Sequence, residues 1–543
     1  MPHPLLLAAL LLACSDGAKE DTVDSEASDD TGPPDDTGVT TDDTSAATGD
    51  TDGTDSVGDI GDTEDTARPP ATTFTIPPDA PELRYAGRWS FADPTAPDAG
   101  WQGSSVAVRF DGTDLAVTLD AGSRAEHLRV IIDGDHHGST RIEAPAGEAT
   151  YTLAEGLEPG EHVVELVKET YAGSNLRIQG FEAIGWSVLS DPAPTRHIEL
   201  YGDSNLAGDS LMSEKNEGGW HLVGSHFSYA GITARAFGAD YHNLSTSGET
   251  LNNAPSRYDR QDRGDASSTW DFAAYTPDVV VMNLGANDIY GASEDTVRGR
   301  YVSMLDLLRA AHPDAHIVVY NAWGWDFDEP ADYTAEVVAD YGDADVSVAT
   351  FPWVFEQWHG CETDHAGMAM YLIRHLESVM GWEADVQDVM SGYGADGGLA
   401  NGGFEDVAPF GGYGWRYYTD GGVARISDGT AQEGEVFLRL PDGASVHQPN
   451  PASGGQEVEV TLWLRGAGEG DEVEVTIDFR SQEMYTPAIQ SETTTLALTT
   501  EWAQYTVSAA APEGGPRPVF HTRLTLEAKA GTVDVDGLAM TTE

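Results

Sequence analysis

The stretch HIELYGDSNLAGDS, residues 197–210, ends an apolar, β-branched run at Gly202-Asp203-Ser204. A serine placed there, after a strand and before a helical region, can present its hydroxyl as a nucleophile, although Gly-Asp-Ser alone is more often a turn. A hydroxyl is a poor nucleophile at neutral pH and needs a neighbouring base. Three more clusters follow in chain order: Ser247-Gly248, then Gly285-Ala286-Asn287-Asp288, then GCETDHAG with Glu362, Asp364 and His365. Each follows a run that reads as a strand. A neutral His365 can take a proton and return it, so serine and histidine together point to acyl transfer.

The elements that must position these residues lie between about 191 and 383. The runs HIELYG, YHNLSTSG, DVVVMNLG, HIVVYNAW and VSVATF alternate with helical patterns. Nearly continuous apolar strands suit a parallel sheet covered on both faces, with functional groups at the carboxyl ends of the strands. The spacing of Val297, Tyr301, Met304, Leu305 and Leu308 predicts a helix that starts near Ser293 and stops at His312-Pro313. A second helix is predicted from about Ala366 to Met380. The fold class is a three-layer α/β/α domain inside a multidomain chain.

At 543 residues the chain is too long for one core. Residues 73–190 read as short strands forming a β-sandwich, a jelly roll, with a hairpin predicted at Asp111-Gly112 in SSVAVRFDGTDLAVTLDAG. Residues 384–543 carry a second β-rich pattern, EVEVTLWLRG and EVEVTIDFRS among its runs, and read as another sandwich. Residues 15–72 are Asp, Thr, Gly and Ser with few large apolar side chains, so they are expected to form an acidic, disordered tether. The formal charge of −64 repels phosphate backbones and argues against a nucleic-acid partner. No HExxH or GxxxxGK[ST] pattern occurs, and two cysteines cannot build a zinc ribbon, so neither metal nor cofactor is expected.

The set Ser204, Gly248, Asn287 and His365 resembles the SGNH, or GDSL, hydrolases over the whole α/β region. That resemblance implies Ser204 as nucleophile, an oxyanion hole made by Ser204, Gly248 and Asn287, and His365 as base. Family spacing puts the orienting acid three residues before the histidine, at Glu362, with Asp364 as the alternate or a backbone carbonyl in their place. The preceding β-rich region, with VAVRFDGTDLAV and IIDG, together with YAGITARAFGADYHNLSTSG, resembles carbohydrate esterase family 2. This implies an acetyl esterase whose substrate is an acetylated polysaccharide such as xylan or mannan. Trp358 and Trp325 are candidates for stacking on sugar, as are Trp323 and Trp353, and core packing is the competing role for each. The start LANGGFED and finish GTVDVDGLAM of the last region resemble carbohydrate-binding modules, with Trp415, Tyr417, Tyr418 and Trp463 as its candidate platform.

Leu5 to Ala13 is apolar but too short to cross a bilayer, and it ends at Cys14. Residues 1–14 resemble a bacterial lipoprotein signal peptide, with an ordinary secretory signal as the alternative. The implied anchor is a lipid on Cys14. Ser15 after it suits an outer-membrane or cell-surface location, with the membrane as a second partner.

Overall fold

The computed structural model describes residues 68–171, 175–213, 218–289, 291–322, 333–351, 359–360, 362–386, 398–405, 415–417, 422–481, 487–515 and 517–543. Cys14, Cys361, Trp323, Trp325, Trp353, Trp358 and Tyr418 lie outside them, as does nearly all of the 15–72 tether.

The central sheet has five parallel strands: β1 (His197–Gly202), β2 (Asp240–Ser245), β3 (Val279–Asn283), β4 (His316–Ala322) and β5 (Val346–Phe351), in the order β2-β1-β3-β4-β5. Side chains alternate between the two faces of a strand. Ile198, Leu200, Val279, Val281 and Val318 pack on one face, against helices α2 (Tyr229–Ala236) and α5 (Glu362–Met380). Tyr201, Val280, Met282, Ile317 and Val319 pack on the other, against α3 (Glu294–Ala311) and α4 (Tyr333–Tyr341). These are the three expected layers, and the five residues predicted to form the apolar stripe of α3 are its buried ones. Strand order reverses direction between β1 and β3, the switch point at which open sheets of this kind hold ligands.

Helix α5 begins a turn earlier than its apolar period suggested. Glu362, Asp364 and His365 therefore lie in its first turn rather than in a loop before it. Two carboxylates there are favoured by the helix dipole.

Ten strands between Thr72 and Leu189 form one antiparallel network. The predicted hairpin is absent: Ser105–Asp120 is one 16-residue strand that passes straight through Asp111-Gly112. It pairs with Gly160–Lys168 along its first half, with Glu148–Ala154 along its second, and with Leu176–Leu189 along most of its length. Register shifts beside Gly185, which faces Gly112. A Cβ on Gly112 would sit 2.5 Å from the Ile184 carbonyl, so the glycine serves close strand approach rather than a turn.

This β domain is tied to the sheet by buried polar contacts. Arg88 donates to Glu199 on β1 at 3.1 Å and to the carbonyls of Tyr258 and Arg260. Gln102 donates to Asn243 and Ser245 on β2. Beyond residue 398, two five-stranded antiparallel sheets enclose a single apolar core. Trp415 belongs to that core, 4% exposed, with its indole N–H on the Asn401 carbonyl at 3.1 Å, so it offers no sugar platform. Trp463 is half-buried beside Gly537.

Candidate active site

Strand β1 ends at Gly202, where a Cβ would sit 2.6 Å from Leu206. The chain then turns into a one-turn helix, α1 in sequence order, Ser204–Ala207. Asp203 caps it by accepting the Asn205 N–H at 3.0 Å. Gly208 ends it at φ +80°, and the N–H groups of Gly208 and Asp209 donate to the Ser204 carbonyl at 3.1 and 3.0 Å. Ser204 is thus the first residue of a tight strand-to-helix turn and is 8% exposed. Ser210 sits at φ 65°, a left-handed conformation uncommon for a residue with a Cβ.

The loops after β2 and β3 meet this turn. Gly248 is exposed at φ +71°, with nothing within 4 Å of where a Cβ would stand, so its backbone borders open space. Asn287 is exposed, and its amide donates to Asp203 Oδ2 at 3.2 Å and to the Glu249 carbonyl at 2.9 Å. Asp288 joins the two loops: it accepts the Leu251 N–H at 2.8 Å and pairs with Arg300 at 2.7 Å. Burial pushes the Asp203 carboxyl up to about 7, with Asp209 and Glu249 adding to the rise against the Asn205 N–H. Ser204, Gly248 and Asn287 therefore share one rim, with Asp203 as the hub.

His365 has a different setting. It has no exposed surface, and its Nδ1 accepts the backbone N–H of Tyr229, the first residue of α2, at 3.2 Å. Its ring stacks on that of Tyr229, centroids 5.9 Å apart and 16° from parallel. Burial first, and then His359, hold its pKa down to about 3. A neutral imidazole that accepts at Nδ1 carries its proton on Nε2. Glu362 and Asp364 are buried beside it in the first turn of α5.

A second histidine, not singled out by the motif reading, touches the residue that follows the serine turn. His359 stands between β5 and α5 and is half-buried, with Nδ1 3.4 Å from Ser210 Oγ. Burial lowers its pKa, while the Asp209 carboxylate raises it. A signal for it exists: Glu-x-x-His occurs twice, at Glu362/His365 and at Glu356/His359, although Glu356 is outside the described residues. Among the described residues, no group of three or more His, Cys, Asp or Glu is arranged to hold a metal ion.

Comparison with known proteins matches two of the chain's regions to known domains. Residues 200–359 match the GDSL-like lipase/acylhydrolase family, a span that starts in β1 and ends at His359. Residues 85–192 match the carbohydrate esterase 2 N-terminal domain. The GDSL-like domain and the carbohydrate esterases to which the chain is similar put it among the GDSL-like carboxylic ester hydrolases. It belongs, more narrowly, to the family 2 carbohydrate esterases. A family two carbohydrate esterase from Clostridium thermocellum, solved with cellohexaose, is 30% identical with a TM-score of 0.50, over 55% of this chain and 99% of that one. The cellulase/esterase CelE of Acetivibrio thermocellus is 32% identical over 56% of this chain, which spans only 40% of CelE. An acetylxylan esterase/glucomannan deacetylase of Cellvibrio japonicus is 26% identical over 58% of this chain and 93% of that protein.

Proposed function

We propose that this chain is a serine-dependent carbohydrate O-acetyl esterase acting on an acetylated polysaccharide of the xylan or mannan kind. The observation that carries the reading is the capped Ser204 turn at the switch point, with Gly248 and Asn287 on the same rim. The activities for which these relatives are named and the cellohexaose complex support the substrate class. Ser204 Oγ attacks the acetyl carbonyl while its proton passes to a histidine. The oxyanion is met by the N–H groups of Ser204 and Gly248 and by the Asn287 amide. The sugar hydroxyl leaves with the proton, and water then releases acetate by the same steps.

His359 suits the role of base better than His365. A histidine whose Nδ1 is an acceptor has no lone pair on Nε2 for the serine, and protonating Nδ1 would cost the Tyr229 hydrogen bond. His359 has the opposite option: donating Nδ1–H to Ser210 Oγ leaves its Nε2 lone pair for Ser204. A pKa near 7 keeps Asp203 substantially protonated below neutrality. A neutral carboxyl is a weaker acceptor, which loosens Asn287 toward an oxyanion.

The rest of the reading rests on the sequence patterns, together with the match of residues 85–192 to the carbohydrate esterase 2 N-terminal domain. Residues 73–190 serve as a jelly-roll partner domain, and the sheets beyond 398 as a carbohydrate-binding-module-like sandwich. A lipid on Cys14 and the acidic 15–72 tether would hold the enzyme at the outer membrane or cell surface, where it meets its polymer. Trp325 and Trp358 remain the sugar-stacking candidates of this reading.

The test is hydrolysis of 4-nitrophenyl acetate and butyrate by the full chain and by Ser204→Ala. Acetate turnover that exceeds butyrate turnover and disappears in the variant is the expected result. A folded parent without turnover would leave a glycan-binding protein on an esterase scaffold.

A further inference from the structure

Next to the serine turn lies a carboxylate that the proposed chemistry has not used. Asp209 follows Gly208 and donates its N–H to the Ser204 carbonyl at 3.0 Å. Its Oδ2 accepts the Tyr171 hydroxyl at 3.3 Å. Its Oδ1 is buried with no hydrogen bond of ordinary length, and the Ser247 hydroxyl is the other polar group that favours its charged form. The next residue, Ser210, lies at φ 65° with its hydroxyl 3.4 Å from His359 Nδ1. Tyr171 belongs to the β domain. Arg263 lies over its ring at 5.0 Å and donates to its carbonyl at 3.0 Å, so the phenol is fixed before it meets Asp209.

A buried carboxylate held only by neutral hydroxyl groups is costly unless a positive charge arrives near it. In acyl transfer one does arrive, because the base becomes an imidazolium when it takes the serine proton. We propose that Asp209, held by Tyr171 of the β domain, is a positioning residue that stabilises the imidazolium of His359 during turnover. The β domain thereby completes the site rather than merely flanking it. This rests on the reading of His359 as the base.

The electrostatics run the same way. Asp209 raises the pKa of His359, and His359 lowers that of Asp209 against the larger effect of burial. Burial and Asp209 both push the Tyr171 hydroxyl up, so it stays a donor at working pH. Among the described residues, the other titratable groups coupled to this pair are Asp203, with Asp209, and His365, with His359. His365 is neutral across the working range. Asp203 titrates near 7 and contributes a second limb that Asp203→Asn identifies.

The experiment compares the full chain with Asp209→Asn, Tyr171→Phe and the double variant, using acetate hydrolysis from pH 4 to 9 and NMR titration of the His359 ring. Removing an anion beside a histidine makes it easier to deprotonate. In Asp209→Asn the His359 pKa and the acid limb of kcat should therefore fall by about one pH unit. The plateau kcat should drop about tenfold, with KM unchanged. Tyr171→Phe alone should lose about threefold, and adding it to Asp209→Asn should lose nothing further, since the two side chains act as one unit. A kcat and a His359 pKa that do not move in Asp209→Asn overturn the proposal alone, provided Ser204→Ala and His359→Ala are inactive. A parent no better than Ser204→Ala, or an active His359→Ala, overturns the esterase or base reading first, and this inference with it.

Discussion

The two histidines are separable by removing each. His365→Ala deletes the acceptor for the Tyr229 N–H and leaves that buried donor unpaired, at a cost of about 1–3 kcal/mol. It also empties the volume of a ring with no exposed surface, which adds about 2 kcal/mol. The sum is about 3–5 kcal/mol, or about 10 °C in the melting temperature of a domain of this size. His365→Asn keeps an oxygen where Nδ1 stood and should recover about 1 kcal/mol of that loss. Both variants, assayed well below their melting point, should retain kcat within about threefold of the parent, because the ring contributes packing and a helix cap. His359→Ala should do the reverse. Its ring is half-buried, so melting moves little, while loss of the general base lowers kcat about 10³-fold. Circular dichroism melts and 4-nitrophenyl acetate kinetics on the same preparations supply both readouts. A folded His365→Ala with kcat down a thousandfold, beside an active His359→Ala, would refute this assignment and restore His365 as base.

Two further outcomes follow from buried charge. Asp203 has its folded pKa raised to about 7, so between pH 4 and 7 the folded state holds a proton that the unfolded chain has released. Stability from this group is therefore present at low pH and is lost as pH rises through 7, by about 4 kcal/mol at most. Asp203→Asn should flatten that slope, and a parent-minus-variant melting difference that is constant from pH 4 to 8 would contradict it. Arg129 and Arg141 both pair with the fully buried Glu169, at 2.8 and 2.6 Å, and Arg141 also donates to the carbonyls of His221 and Val223. Arg129→Leu leaves Glu169 half-compensated and should cost about 3–5 kcal/mol in thermal unfolding, whereas Arg109→Leu, whose pair with Glu161 is exposed, should cost less than about 1 kcal/mol.

Much of the α/β layer was legible because its rules are local. The apolar runs of β1 and β3–β5 needed only β-branched residues bounded by turn residues, and α3 needed only the spacing of five side chains. Ser204, Gly248 and Asn287 stand out as candidates for the same reason: each sits just past a strand, and parallel strands deliver their ends to one edge. Asp111-Gly112 misled because the pair that makes a hairpin also lets two long strands pass closely. Nothing within ten residues distinguishes the two cases, and the deciding contact is the Ile184 carbonyl, more than seventy positions away.

The start of α5 gives His365 a setting different from that of a strand-end loop. Read as a loop residue, it would sit at a strand end like Ser204. With the helix beginning at Glu362, the same side chain turns inward and caps α2, while the histidine six residues earlier lies beside Ser210. The difference is a single helical turn, and apolar periodicity cannot locate it, because Glu362, Asp364 and His365 are buried polar residues that carry no hydrophobic signal. The same blindness hid Asp209 and Tyr171. A carboxylate in a run of Gly, Asp and Ser reads as a turn residue, and a tyrosine after a strand reads as an edge. Only the fold, by bringing the β domain to the serine turn, makes the two one unit, and that contact is where the sequence-distant half of the proposed chemistry stands or falls.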